Sequence, residues 1–315
     1  MVLGSTGEAV MLREHEQIEV LETAVRAAAD DKVLIAGVGQ ESVLATLNLA
    51  EHAARLGYDA VLVRTPAYYR AQMRPPEMLH YYRMVADRSP LPVLLYSIPA
   101  CTGYELPVAI IAELGSHKNI VGIKDSSGKP ERIAEIVAAT ASVRRMVTVT
   151  PTFAAVTERM VRAAGENAVA NLISIESLGG SPVSGAATLS ATLSPALKTR
   201  SREVGFQVMA GSAVTFHASL QAGAVGGILA LACCAPQACY EVFAAHKEMN
   251  PALAALKQER LVPAAQRIVG EMGIPAIKYA SELNGYYGGP PRDPLLPLRA
   301  DEKSEVEQLM SGLRA

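Results

Sequence analysis

Cysteine, charge and long apolar runs are all scarce in this chain. Only four cysteines occur, Cys101, Cys233, Cys234 and Cys239. Three of them crowd into one apolar stretch with no histidine at metal-ligand spacing, and adjacent Cys233 and Cys234 suit a disulfide poorly. Free buried thiols in a reducing compartment are therefore expected, without a metal. The six histidines are scattered, which argues against a metal site or a nucleophile–base pair. Charged residues make up 19% of the chain and the formal net charge is −2. That charge is spread out, so the basic footprint of a nucleic-acid binder is missing. The longest apolar run, 226–234, is too short to cross a bilayer. No charged region followed by an apolar one opens the chain, so no secretory signal is expected. The location expected is the cytoplasm, or the mitochondrial matrix in a eukaryotic source. Gly37-Val38-Gly39 follows an apolar run, but Ser42 stands where a dinucleotide fingerprint needs its third glycine. A nicotinamide cofactor is accordingly disfavoured.

What is present is a large apolar content, 50% of 315 residues, arranged as short Val/Ile/Leu runs alternating with helical periodicity. Runs at 33–38, 60–64, 93–98 and 120–124 read as strands apolar on both faces. Segments 43–56, 76–87, 107–114 and 132–141 read as the helices between and after them. The strand starts recur every 27 to 33 residues, the spacing of successive βα units. Runs at 206–210 and 227–231 continue the series, and only helices follow from Pro236. The fold class expected is α/β, a (β/α)8-type barrel across 1–245 with a helical region at 246–315. Met1–Leu3 is a strand stub before the turn Gly4-Ser5-Thr6-Gly7-Glu8. Residues 142–203 read as an insertion. Its first part, 146–175, carries its own strand, helix and strand and faintly echoes 206–231, while 177–201 reads as a flexible connection.

Nine lysines occur, and Lys124 differs from the others because it closes the apolar strand Ile120-Val121-Gly122-Ile123. At the carboxyl end of a barrel strand it would face the mouth, where desolvation favours a neutral amine able to attack a ketone. A surface lysine paired with Asp125 is the competing reading. Tyr96, at the end of the preceding strand, offers a phenol that can relay protons during imine formation; on its own it reads sooner as a core tyrosine with its hydroxyl hydrogen-bonded. Tyr68, in Thr65-Pro66-Ala67-Tyr68-Tyr69, ends the strand before that. In Gly4-Ser5-Thr6-Gly7-Glu8, small residues let backbone N–H groups and two hydroxyls converge on a carboxylate, although such a turn alone is weak evidence.

Taken together, Gly4-Ser5-Thr6-Gly7-Glu8, Thr65-Pro66-Ala67-Tyr68-Tyr69, Tyr96-Ser97-Ile98-Pro99, Gly122-Ile123-Lys124-Asp125 and Ala210-Gly211-Ser212 resemble the dihydrodipicolinate synthase / N-acetylneuraminate lyase superfamily. Gly273-Ile274-Pro275-Ala276-Ile277-Lys278 and Tyr286-Tyr287-Gly288-Gly289 are similar to it as well. The resemblance implies a class I pyruvate aldolase on a TIM barrel, needing no cofactor. Lys124 would form the Schiff base, Tyr96 would relay protons, and Ser5 and Thr6 would bind the keto-acid carboxylate. Ser126, Gly211 and Ile228 would line the pyruvate site. Tyr68 would complete a relay in a neighbouring subunit, which implies a homo-oligomer, dimer or tetramer. Members begin with a first βα unit that this chain lacks. Cys101 stands where dihydrodipicolinate synthases carry an arginine for the aldehyde's carboxylate. The resemblance is closest to 4-hydroxy-2-oxoglutarate aldolase, with dihydrodipicolinate synthase as the alternative and a catalytically silent barrel serving as a binding module as the reading from another class.

Overall fold

The computed structural model describes residues 1–30, 32–149 and 200–313. Six strands form one parallel sheet: β1 (Ile35–Gly37), β2 (Ala60–Arg64), β3 (Val93–Ser97), β4 (Ile120–Asp125), β7 (Gln207–Ala210) and β8 (Gly226–Gly227), hydrogen-bonded in that order. Val2 adds a parallel bridge to Ala36 beyond β1, so the Gly4–Glu8 turn leaves from that edge. The sheet curls into part of a barrel, with helices outside and a helical region at the carboxyl end. Two further strands, β5 (Arg145–Val149) and β6 (Arg200–Val204), pair antiparallel with each other and join no strand of the main sheet.

Alternation along each strand divides the side chains between two apolar environments. Val61, Val63, Val93, Leu95, Ile123 and Val208 face the helices and share the principal core with residues such as Leu49, Met78, Ile111 and Ile133. Ala60, Leu62, Leu94, Tyr96 and Ile98 form a second cluster on the other face, against Ile35, Val121 and Met209. The helices start and stop where the chain supplies caps. Ser42 accepts from the Ala45 N–H to open Val43–Leu56, and Gly57 closes it in the left-handed region. Prolines open Pro75–Arg88 and Pro130–Ala139.

The sequence-based elements need three corrections. A helix at Glu14–Ala27 has no counterpart among the expected elements, although Ile18, Leu21 and Val25 recur at helical spacing and pack on the principal core. The strand expected at 227–231 is only two residues long, since the chain turns into a 3-10 helix at Leu231–Cys233. Within the presumed flexible stretch, Arg200 and Ser201 belong to β6 and pair with Val149 and Thr148. The remainder of the 146–175 unit, its echo of 206–231 and most of 177–201 lie outside the described residues.

Burial of Asp125 fixes β4 to its covering helix. The Asp125 side chain is 1% exposed and accepts from Arg132 Nε at 2.9 Å, while Arg132 Nη2 also donates to the Leu106 carbonyl. Arg132→Ala would strip a buried carboxylate of its counter-charge. A loss of about 3–5 kcal/mol is expected, read as a lower urea midpoint at unchanged slope.

Candidate active site

The carboxyl ends of β2, β3 and β4 bring three polar side chains into one row. Arg64 is the register partner of Tyr96, and Tyr96 that of Lys124, with Met209 of β7 next in line. Register partners in a parallel ladder share a face, so the row lies on the side away from the helices. Lys124 and Tyr96 are buried there, at 6% and 4% exposure. Lys124 Nζ donates to the Tyr96 hydroxyl at 3.1 Å and sits 4.2 Å from the ring centroid. Ser5 Oγ lies 3.5 Å from the same hydroxyl. Asp125, one residue on, points to the opposite face and is taken by Arg132. That geometry rules out the surface Lys124–Asp125 pair. Lys124 has no ion-pair partner among the described residues.

The Gly4–Glu8 turn contains a 3-10 turn at Ser5–Gly7, and a second follows at Ala9–Met11. The N–H groups of Gly7 and Glu8 are used inside it, on the carbonyls of Gly4 and Ser5. Ser5 lines a small cavity of about 40 Å³ with Gly4, Gln40, Arg64 and Tyr96. Thr6 is half-buried and makes no hydrogen bond to Lys124 or Tyr96. Ser126, Gly211 and Ile228 each extend a ladder just past a strand end: Ser126 N–H donates to Ser97 O, Gly211 N–H to Asp125 O and Ile228 N–H to Ala210 O, at 2.7–2.9 Å. They border the same end of the sheet as Lys124. A side chain at Gly211 would collide with the Ser126 hydroxyl, so glycine there permits the close approach.

Tyr68 is not brought to this group within the chain. It is 81% exposed, because the N–H groups of Ala67 and Tyr68 both donate to Glu41 Oε2 at 2.9 Å and turn the loop outward. Burial alone would raise the Glu41 carboxyl. The Tyr68 N–H, the Arg64 guanidinium and the Ala67 N–H outweigh it and hold Glu41 below its ordinary value.

Two contributors escape the sequence reading. Arg64 closes an apolar strand as Lys124 does, and that signal was available. Glu8 is buried, accepts from Lys278 Nζ at 2.7 Å and from the Arg292 N–H at 2.7 Å, and so ties the anion turn to the helical region. Among the described residues no three His, Cys, Asp or Glu side chains cluster to hold a metal, and no helix is long and apolar enough to cross a membrane.

Comparison with known proteins gives one family. A sequence model of the dihydrodipicolinate synthetase family matches residues 1–170 and 167–313. A 4-hydroxy-tetrahydrodipicolinate synthase of Acidiphilium cryptum is 28% identical over 311 residues, 99% of this chain and 85% of that one. An Emericella nidulans protein named "Probable 4-hydroxy-2-oxoglutarate aldolase, mitochondrial" is 40% identical over 144 residues, 44% of this chain and 46% of that one. The chain thus spans under half the length of the latter. The crystal structure of YagE from E. coli K12, a prophage protein of the dihydrodipicolinic acid synthase family in complex with pyruvate, superposes with a TM-score of 0.73. It is 23% identical and covers 99% of this chain and 85% of YagE.

Glu8→Ala would release both donors and free the anion turn. A loss of roughly 1.5–3 kcal/mol is expected, measured by urea denaturation. A change below 0.5 kcal/mol, on the scale of surface substitutions, would show that the turn holds its place without the tail.

Proposed function

We propose that this chain, which belongs to the dihydrodipicolinate synthetase family, is an aldolase that forms a Schiff base between Lys124 and a 2-keto acid. The observation that carries the reading is the buried row: an amine without a carboxylate partner, a phenol 3.1 Å from it, and a serine hydroxyl beyond the phenol. The preferred substrate is 4-hydroxy-2-oxoglutarate, cleaved to pyruvate and glyoxylate. The Emericella nidulans relative's name and the thiol of Cys101 in the turn after β3 support that choice. A family protein crystallised with pyruvate supports a pyruvate moiety.

The Lys124 amine attacks the C2 carbonyl, and the carbinolamine loses its oxygen as water to give the iminium. Tyr96 relays protons to and from that oxygen. Removal of the C4 hydroxyl proton then breaks the C3–C4 bond. Its electron pair moves into the iminium as an enamine, and glyoxylate leaves as the aldehyde. Protonation at C3 and addition of water release pyruvate and regenerate the amine. Ser5 and Thr6 hold the C1 carboxylate, and Ser126, Gly211 and Ile228 line the pyruvate end. The exposed Tyr68 completes the relay across a subunit boundary, in a homo-oligomer.

A second reading has its own support. The relative that aligns along 99% of this chain is a 4-hydroxy-tetrahydrodipicolinate synthase, and condensation of pyruvate with aspartate semialdehyde would use the same amine and phenol.

Incubation with pyruvate followed by borohydride reduction should leave a mass adduct on Lys124, absent in Lys124→Ala. An unmodified, folded chain would refute the Schiff base. Tyr96→Phe should lower kcat by roughly 10²–10⁴-fold, and an undiminished rate would remove the phenol from the mechanism. Cleavage of 4-hydroxy-2-oxoglutarate should exceed condensation with aspartate semialdehyde, and the opposite order would favour the second reading.

A further inference from the structure

The cavity beside Tyr96 contains a cation that the chemistry at Lys124 does not use. We propose that Arg64 is a second carboxylate subsite, which holds the far carboxylate of a 2-keto dicarboxylic acid whose ketone reacts at Lys124. The proposal rests on the Schiff-base reading and extends it to the other end of the substrate.

Position is the first argument. Arg64, Tyr96 and Lys124 are consecutive register partners on β2, β3 and β4. At about 4.8 Å per strand, the backbone of Arg64 stands roughly 10 Å from that of Lys124. The ladder thus sets Arg64 on the far side of Tyr96 from Lys124, the side on which a substrate joined to the amine at C2 and passing Tyr96 carries its far carboxylate. Ser5 serves the C1 end. Arg64 and Ser5 line the same cavity, together with Gln40 and Gly4.

The second argument is the guanidinium's bonding. Arg64 Nη1 donates to Glu41 Oε1 at 2.8 Å and to the Thr65 carbonyl at 3.1 Å. Among the described residues, Nε and Nη2 donate to nothing. One corner of the fork is tethered, and the edge that matches a carboxylate with two parallel N–H groups is unused. The tether is itself fixed, because Glu41 Oε2 accepts from the N–H groups of Ala67 and Tyr68. The side chain is 17% exposed, so little ordering is left to complete on binding.

Electrostatics agrees with the geometry. Burial raises the Cys101 thiol, while Lys124 and Arg64 both pull it down, so the two side chains act on one shared region. Once the iminium puts a positive charge at Lys124, a dianion matches two separated positive groups better than a monoanion does.

The test compares a dicarboxylate with a monocarboxylate. Calorimetric titration of the intact chain with 2-oxoglutarate, which lacks the 4-hydroxyl and is not cleaved, and with 2-oxobutanoate should show at least a tenfold preference for the dicarboxylate. Arg64→Gln should erase that preference, and Arg64→Lys, which keeps the charge without the fork, should leave only part of it. If Arg64→Gln does not fold, the Lys substitution carries the comparison. No preference in the wild-type chain, or one that survives both substitutions, would overturn the subsite. Equal weakening of both ligands in Arg64→Gln would also overturn it, by placing Arg64 at the shared C1 carboxylate. Pyruvate trapping on Lys124 gives the separate readout: a dicarboxylate preference without trapping would sink the Schiff base and leave the subsite, and trapping without the preference would do the reverse.

Discussion

Three side chains that share a row on neighbouring parallel strands cannot be moved one at a time. Arg64, Tyr96 and Lys124 point to the same face because their strands pair in register. A slip of one residue in β4 would turn Lys124 towards the helices and bring Asp125 inward. Two contacts oppose that slip. Ile123 is fully buried among the helix-facing residues, and Asp125 is bonded to Arg132. A third constraint comes from the other side of β4, where a side chain at Gly122 would run into the Gln207 carbonyl. Glycine there lets β7 pair closely enough to seat Met209 beside Lys124.

The same alternation separates charges that would otherwise neutralise each other. Lys124 and Asp125 are adjacent in sequence, and at a flexible surface they would form an ion pair. In a strand they face opposite sides. Asp125 spends its charge on Arg132, in a pair buried under the helix, while Lys124 meets a hydroxyl and the face of an aromatic ring. Among the described residues the amine thus has no carboxylate bonded to it. On β2 the arrangement differs. Arg64 does have a carboxylate partner, Glu41, but that carboxylate also anchors two backbone N–H groups and engages only one nitrogen of the guanidinium.

How much of this was readable depended on the range of the interaction. Strands apolar on both faces announce themselves, and the four at 60–64, 93–97, 120–125 and 207–210 fall within a residue or two of the apolar runs. Strand-end position then gives Lys124 and Tyr96. It gives Arg64 by the same rule, but the Thr65-Pro66-Ala67-Tyr68-Tyr69 motif directs attention past it to Tyr68, which the structure turns outward. Contacts between distant segments leave no local pattern. Ser5 and Tyr96 are 91 positions apart, and without a family resemblance nothing in either segment announces the other. The helix at Glu14–Ala27 was legible from Ile18, Leu21 and Val25 at helical spacing, and what left no pattern is the burial of polar Gln17, held by the carbonyls of Ala9 and Leu12.

Glu8 shows how far such a contact extends. Its backbone sits in the left-handed region, with φ at 54°, a conformation that costs a β-carbon residue roughly 1 kcal/mol. Two partners offset that cost, Lys278 and the backbone of Arg292, which lie 270 and 284 residues further along the chain. Lys278 is itself crowded by Gly288, where a side chain would strike the Lys278 carbonyl. Lys278 of the Gly-Ile-Pro-Ala-Ile-Lys segment and the Arg292 backbone therefore converge on one carboxylate, with the Tyr-Tyr-Gly-Gly segment packed on the Lys278 backbone, and that carboxylate closes the turn in which Ser5 approaches the Tyr96 hydroxyl. Their physical task is to set the anion turn at a fixed distance from the row of strand-end side chains. The helical region thus acts on the row through that distance, and among the described residues none of its side chains bonds Lys124.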